Sequence, residues 1–289
     1  MTWSINAGFT IIRAGILNPN LGKTVARNLI NPLRPTAIVV HGLHKSGTMF
    51  LYQLFYRLAR ARKIQYYSSN HEQPNDHLIT EQTDHDLCLC PIRSYADEPA
   101  CLNESFRIRR IFHVRDPRDI LVSQYYSYGW RHSEEGFESG RQRQRTSIQS
   151  MEIDDYVLQQ QAVIGPLKKR FADLIHRQPY ELANVVRYEQ MVLNFPEWLE
   201  QVMKPFEFKV PSLVKARFAF RYRNEFQPDN NPNSHKRNVL PGDHRRRLKP
   251  ETIERLNLIF EPELRALKYS ENGSLKKVAW YRGREKSGC

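Results

Sequence analysis

Residue types suited to holding a phosphate-like anion concentrate in two short stretches of this chain. The first is His41-Gly42-Leu43-His44-Lys45-Ser46-Gly47-Thr48. It follows Ile38-Val39-Val40, an apolar run with the length of a buried parallel strand, and precedes Met49 to Ala59, which is long enough only for a helix. At such a junction the backbone N–H groups of Ser46, Gly47 and Thr48 are expected to face an anion. The helix macrodipole favours that anion, and Lys45 adds a point charge. Gly42 and Gly47 have the gap of a nucleotide-hydrolase phosphate loop. In that loop, however, lysine follows the second glycine, whereas Lys45 precedes it by two places. The stretch is therefore not a Walker A loop.

The second stretch runs from Arg109 to Tyr126 and again reads as a strand entering a helix. Asp116 has the character of an N-cap, Pro117 suits the first helical position, and Asp119 lies three residues after the cap. Arg115 falls at the carboxyl end of the strand. Ser123 falls about two turns into the helix, on the side of Asp116 and Asp119. By itself Arg115 reads as a structural partner of those aspartates rather than as a ligand-binding residue.

Together, and in this order, the two stretches resemble the 5′-phosphosulfate loop and the 3′-phosphate motif of the sulfotransferases that use 3′-phosphoadenosine-5′-phosphosulfate (PAPS). The resemblance spans about residues 35 to 270. It implies a P-loop-like α/β fold, a donor site formed by Lys45, Ser46, Gly47, Thr48 and Met49, and 3′-phosphate contacts from Arg115 and Ser123. Asn184-Val185-Val186-Arg187-Tyr188-Glu189 is similar to the strand whose tyrosine meets the adenine, here Tyr188. Phe50 stands where the cytosolic members carry a tryptophan against that base; it reads equally as a core residue. Phe218 is a further adenine contact by resemblance. Ser234 to His244 is similar to the loop that closes over the 3′-phosphate, with Lys236, Arg237 and Asn238 as its binding residues. Arg237 and Gly242 match the family pattern, whereas Asn238, Val239 and His244 depart from it.

The resemblance makes Lys45 the catalytic lysine, which meets the charge building on the departing phosphate, with Ser123 drawing it aside until the acceptor arrives. A loose, planar sulfuryl transfer of this kind needs positive charge rather than a metal, and no acidic pair of the nucleotide-hydrolase type is present. Cytosolic relatives carry a basic histidine upstream of the second motif; at that spacing this chain has Arg93, which cannot accept a proton. Arg93 reads as a site for an anionic or polar part of the acceptor, or as a structural ion pair. Glycan-type relatives place a glutamate after the first helix, a region that here contains His71-Glu72. His71, Glu72 and, in the polar stretch of the expected lid, His132 are the candidate bases; His71 and Glu72 read also as residues of an exposed polar loop.

The elements that must position these groups follow from patterning. Strand signals at Ile38, Ile111 and Val185, each followed by a helix, predict one α/β domain with a central parallel sheet and the donor outside the strands' carboxyl ends. Arg131 to Ser150 is polar without apolar periodicity and reads as a loop or lid over the acceptor. Met151 to His176 reads as helical with a break at Gly165-Pro166, and helices are expected over Asn194 to Phe206 and Pro250 to Tyr269. Tyr125, Tyr126, Tyr128 and Trp130 divide between an acceptor pocket and the core. Residues 1–34 read as an arm and 271–289 as a basic tail.

With 289 residues and 40% hydrophobic content the chain can bury one substantial core. It has no secretory signal pattern and no apolar stretch of the roughly 18 residues that span a bilayer, so the expected location is the cytoplasm. Four cysteines fit reduced thiols, and Cys88 and Cys90 read as small buried residues rather than half a metal site. A net charge of +13 suits capture of a polyanionic donor, and no nucleic-acid module is recognisable. The reading is a PAPS-dependent sulfotransferase (EC 2.8.2 class) acting on a hydroxyl or nitrogen of a small molecule, without metal, nucleic acid or membrane partner. Its oligomeric state, a homodimer included, is open. The alternatives are a nucleotide kinase of similar architecture and a non-enzymatic basic protein that binds nucleotides or polyanions.

Overall fold

Strand β1 (Thr36–Gly42) is buried along almost its whole length, because it sits in the middle of the sheet and both its faces are covered. The computed structural model describes residues 34–68, 85–95, 98, 102–131, 139–177, 184–204, 217 and 239–269. The other strands are β2 (Gln65–Tyr67), β3 (Leu87–Ile92), β4 (Arg107–Val114) and β5 (Val185–Arg187). Their order across the sheet is β2-β3-β1-β4-β5, and all pairs are parallel. The three strands expected from the sequence are present, each followed by a helix. Short β2, and β3 with its internal proline, were not legible.

Alternation along β1 separates two layers. Ile38 and Val40 join the core of Leu54, Phe55, Trp198 and Leu199, whereas Ala37 and Val39 pack with Leu87, Leu89, Leu102 and Phe106. The first of these cores is supplied by α1 (Thr48–Arg62), whose buried Leu51, Leu54, Phe55, Leu58 and Ala59 recur at helical spacing. Cys88 and Cys90 of β3 are buried free thiols, as expected.

A short α2 (Leu102–Ser105) precedes β4, and α3 (Pro117–Tyr126) follows it, ending in a π-helical turn at Ser127–Arg131. The stretch expected to be a loop contains α4 (Ser139–Gln149). Apolar periodicity missed this helix because polar contacts dock it. Arg145 Nε and Gln149 Nε2 both donate to Gly129 O, at 3.1 and 2.7 Å, and Ile148 alone is buried in its described part. After α5 (Ile153–Val157) the helical run is broken by a π turn at Gln160–Ile164 and resumes as α6 (Gly165–Ile175), with Pro166 in its first turn. The chain continues through α7 (Tyr188–Leu193) and α8 (Phe195–Met203) to α9 (Asp243–Arg247), α10 (Pro250–Ile259) and α11 (Glu261–Ala266). The helix expected over Pro250 to Tyr269 is thus two helices meeting at Phe260. The N-terminal arm, Arg34 excepted, and the basic tail lie outside the described residues.

Candidate functional site

At the carboxyl end of β1 the chain turns through Leu43–Gly47 into α1. Lys45 (φ 70°) and Gly47 (φ 84°) both adopt the left-handed conformation. At Gly47 a glycine is required twice over: any side chain is strained there, and a Cβ would lie 3.1 Å from Met191 and 3.2 Å from the Tyr188 ring. The loop is pressed flat against the residues that follow β5. Ser46 departs from expectation, since its N–H (3.1 Å) and hydroxyl (2.7 Å) both donate to Leu43 O and close the turn. Among the described residues the amides of Gly47 and Thr48 have no backbone partner, and α1 carries no acid in its first turn. The amides left without a backbone partner at this helix start therefore begin one residue later than the sequence suggested. Met49 is 56% exposed at the helix start.

Arg115 is buried just beyond β4. Its Nη1 donates to Lys45 O at 2.7 Å, and its guanidinium lies 4.2 Å from the Tyr188 ring centroid. Its Nε is buried and has no partner among the described residues. Burial opposes the charge, but Tyr188, Asp119, Glu189 and Asp243 together outweigh it and hold the group protonated. The local aspartate partner expected for Arg115 serves Arg118 instead. Asp116 caps α3 through Arg118 N–H (2.9 Å) and receives the Arg118 guanidinium at 3.0 and 2.6 Å.

Asp119, placed by the sequence in the first turn of α3, reaches across the fold. It accepts from Gly242 N–H (2.7 Å), His244 N–H (3.0 Å) and His244 Nδ1 (2.6 Å). Tyr188 Oη donates to Val239 O at 2.8 Å. These bonds fasten the segment 239–244 over Arg115 and the loop, and they explain the departure at His244, whose imidazole is a buried partner for Asp119. Glu189 beside them accepts from Asp116 N–H (2.9 Å) and Tyr269 Oη (3.0 Å), and burial pushes its carboxyl up to about 7.

On the other side of the loop, Lys45 Nζ donates to Ser127 Oγ and lies 5.6 Å from the Tyr128 ring centroid. Ser123, expected to receive the lysine, lies one turn earlier and is half-buried. His44 Nε2 lies 3.4 Å from Arg93 Nη1. A guanidinium can only donate, so Nε2 accepts and the ring proton sits on Nδ1. Burial, followed by the charges of Arg93, Lys45 and Arg170, lowers the His44 pKa to about 4, so the ring is neutral at physiological pH.

Of the four aromatic residues after Ser123, Tyr125 belongs to the core, donating to Met151 O at 2.8 Å, while Tyr128 faces Lys45. Phe50 is half-buried against Phe195 and Trp198. Lys45, Gly47, Thr48, Arg115 and Tyr188 are thus brought together at one end of the sheet. His71, Glu72, His132, Phe218, Lys236, Arg237 and Asn238 lie outside the described residues. His44, Ser127 and His244 were missed as site residues. The position of His44 beside Lys45 was the available signal for the first; nothing local marked the other two. Among the described residues no group of three or more His, Cys, Asp or Glu is placed to hold a metal.

The family model described as sulfotransferase domain matches residues 35–268. No curated protein matches the chain. Among solved structures, mouse sulfotransferase SULT7A1 complexed with PAP (3′-phosphoadenosine-5′-phosphate) has a TM-score of 0.50 at 17% identity, covering 80% of this chain and 85% of that one. Retinol dehydratase with retinol and PAP has a TM-score of 0.46 at 15% identity, covering 86% of each chain. Retinol dehydratase with androsterone and inactive cofactor PAP gives 0.45 at 12%, covering 84% and 85%. The likeness to the mouse structure shows a shared fold.

Proposed function

Because the chain belongs to the sulfotransferase family, we propose that it transfers a sulfuryl group from PAPS to a hydroxyl or nitrogen of a small-molecule acceptor. The observation that carries the choice of donor is the junction of Lys45, Gly47, Arg115 and Tyr188. A flat glycine cradle there adjoins a buried guanidinium that has a free Nε among the described residues. Such a place fits a compact polyanion bearing an aromatic base. In this reading Gly47 and Thr48 hold the 5′-phosphosulfate end, and Arg115, with Ser123 and the closing loop, holds the 3′-phosphate. Tyr188 flanks the donor, with Phe50 at the adenine end. The donor supplies the activated sulfuryl group. Lys45, released from Ser127, neutralises charge at the leaving oxygen, a contribution worth about 3 kcal/mol in comparable sites. His44 is the neutral base beside it and takes the acceptor's proton.

No helix among the described residues is long and apolar enough to cross a membrane. We place the enzyme in the cytoplasm, which fractionation of expressing cells tests. The donor assignment is tested by calorimetric titration with PAP and with ATP. Micromolar or tighter PAP binding, weak ATP binding and loss of PAP binding in Arg115→Ala are expected. Preference for ATP would return the site to the kinase reading, and indifference between polyanions would return it to a binding protein.

A further inference from the structure

Two arginine Nε atoms are buried without a partner among the described residues, those of Arg115 and Arg93. Five other arginines are matched. Arg110 and Arg177 meet Glu98 at 2.9 and 3.5 Å, Arg118 meets Asp116, and Arg107 and Arg187 donate to backbone carbonyls. Arg115 lies in the donor site, where an anion completes it. Arg93 stands on the opposite side of Lys45. In the sheet order β2-β3-β1-β4-β5, Arg115 and Tyr188 follow β4 and β5, whereas Arg93 follows β3. Its hydrogen-bond partner among the described residues is the His44 imidazole, at the long distance of 3.4 Å, and no carboxylate pairs with it there. A second cation, Arg170 of α6, acts on the same two neighbours, His44 and Tyr128. A half-buried guanidinium left with an unmatched donor is costly, and its planar fork suits a carboxylate, sulfate or phosphate.

We propose that the acceptor of this enzyme carries its own anionic group, which docks on Arg93 with Arg170 beside it, on the β3 side of Lys45. The inference rests on the sulfotransferase reading and specifies its substrate class. The weak contact to His44 is readily exchanged for a charged one, and that exchange frees the Nε2 lone pair next to the reacting hydroxyl. Half-buried Tyr128 and buried Tyr156 make the neighbouring surface aromatic, so an aryl anion is the suitable probe.

The experiment is calorimetric titration of the PAP-saturated protein with 4-hydroxybenzoate and with its neutral analogue 4-hydroxybenzamide. It is run on wild type, on Arg93→Gln, and on Arg265→Gln, which removes one exposed charge that the proposal gives no part. Wild type is expected to favour the benzoate by about 30-fold, as a charge-assisted bond implies, with the preference abolished in Arg93→Gln and kept in Arg265→Gln. Equal affinity for both compounds in wild type, binding of neither, or an equal loss of both in Arg93→Gln would overturn the proposal. The last result would give Arg93 a role in shaping the subsite rather than in binding a charge there. Absence of PAP binding would fail the donor reading separately, and the same comparison on the free protein would still decide the subsite.

Discussion

Replacing Asp119 with alanine removes the acceptor of three donors at once: Gly242 N–H at 2.7 Å, His244 N–H at 3.0 Å and His244 Nδ1 at 2.6 Å. Asp119 and His244 are each 1% exposed, so water cannot substitute without opening the fold. Leaving three buried donors without their acceptor costs about 1–3 kcal/mol each, so a loss of at least about 3 kcal/mol is expected. His244→Ala leaves both backbone bonds to the carboxylate intact and is expected to cost less, about 1.5–3 kcal/mol. In the double variant the imidazole has already lost its partner, so the total should stay near that of Asp119→Ala, with a coupling energy of about 1.5–3 kcal/mol. Urea unfolding of the four proteins at neutral pH, followed by far-UV circular dichroism, measures this cycle. An Asp119→Ala loss below about 1 kcal/mol, or an additive double variant, would refute the claim that this carboxylate fastens the 239–244 segment. The sign with pH is also set. Burial raises the Asp119 pKa, but the bonds from His244 and the charge of Arg115 prevail and hold it far below the carboxylate range. Its stabilisation is therefore complete above the unfolded value of about 3.9 and is lost as pH falls below that.

Four further variants address the chemistry and the buried acid beside it. Ser127→Ala is expected to change PAPS turnover about fivefold with PAP affinity kept, Ser123→Ala to weaken PAP binding, and His44→Gln to slow turnover about 100-fold. If Ser123→Ala alone alters turnover, Lys45 is held by that serine during reaction; undiminished turnover in His44→Gln removes it as the base. Glu189, whose folded pKa is raised to about 7, contributes most below its unfolded value of about 4.3, and stability falls as pH rises through about 7. Glu189→Gln should flatten that fall in thermal unfolding across the range, and an unchanged slope would show that the carboxyl does not titrate there.

Much of the donor end was legible because its signals are local. A β-strand, a glycine that must turn left-handed and a helix start lie within a dozen residues at β1–α1, and Asp116-Pro117 marks the start of α3 by chemistry that needs no distant partner. The paired glycines, Lys45 and Arg115 therefore carried both the fold class and the family resemblance. Helix α4 was illegible for the opposite reason, since its docking depends on Gly129 O rather than on an apolar stripe.

The sequence by itself determined the order of strand, anion loop and helix, the presence of a second strand ending in Arg115, and hence the reaction class. Tertiary structure alone decided the partners. Asp119 holds His244 across 125 residues, Lys45 rests on Ser127 rather than one turn earlier, and Arg93 meets His44 across 49. Backbone conformation and capping depend on neighbours in the chain, so residue types report them directly. Side-chain pairing depends on which strand ends lie side by side in the sheet, and that is set by packing of the whole domain.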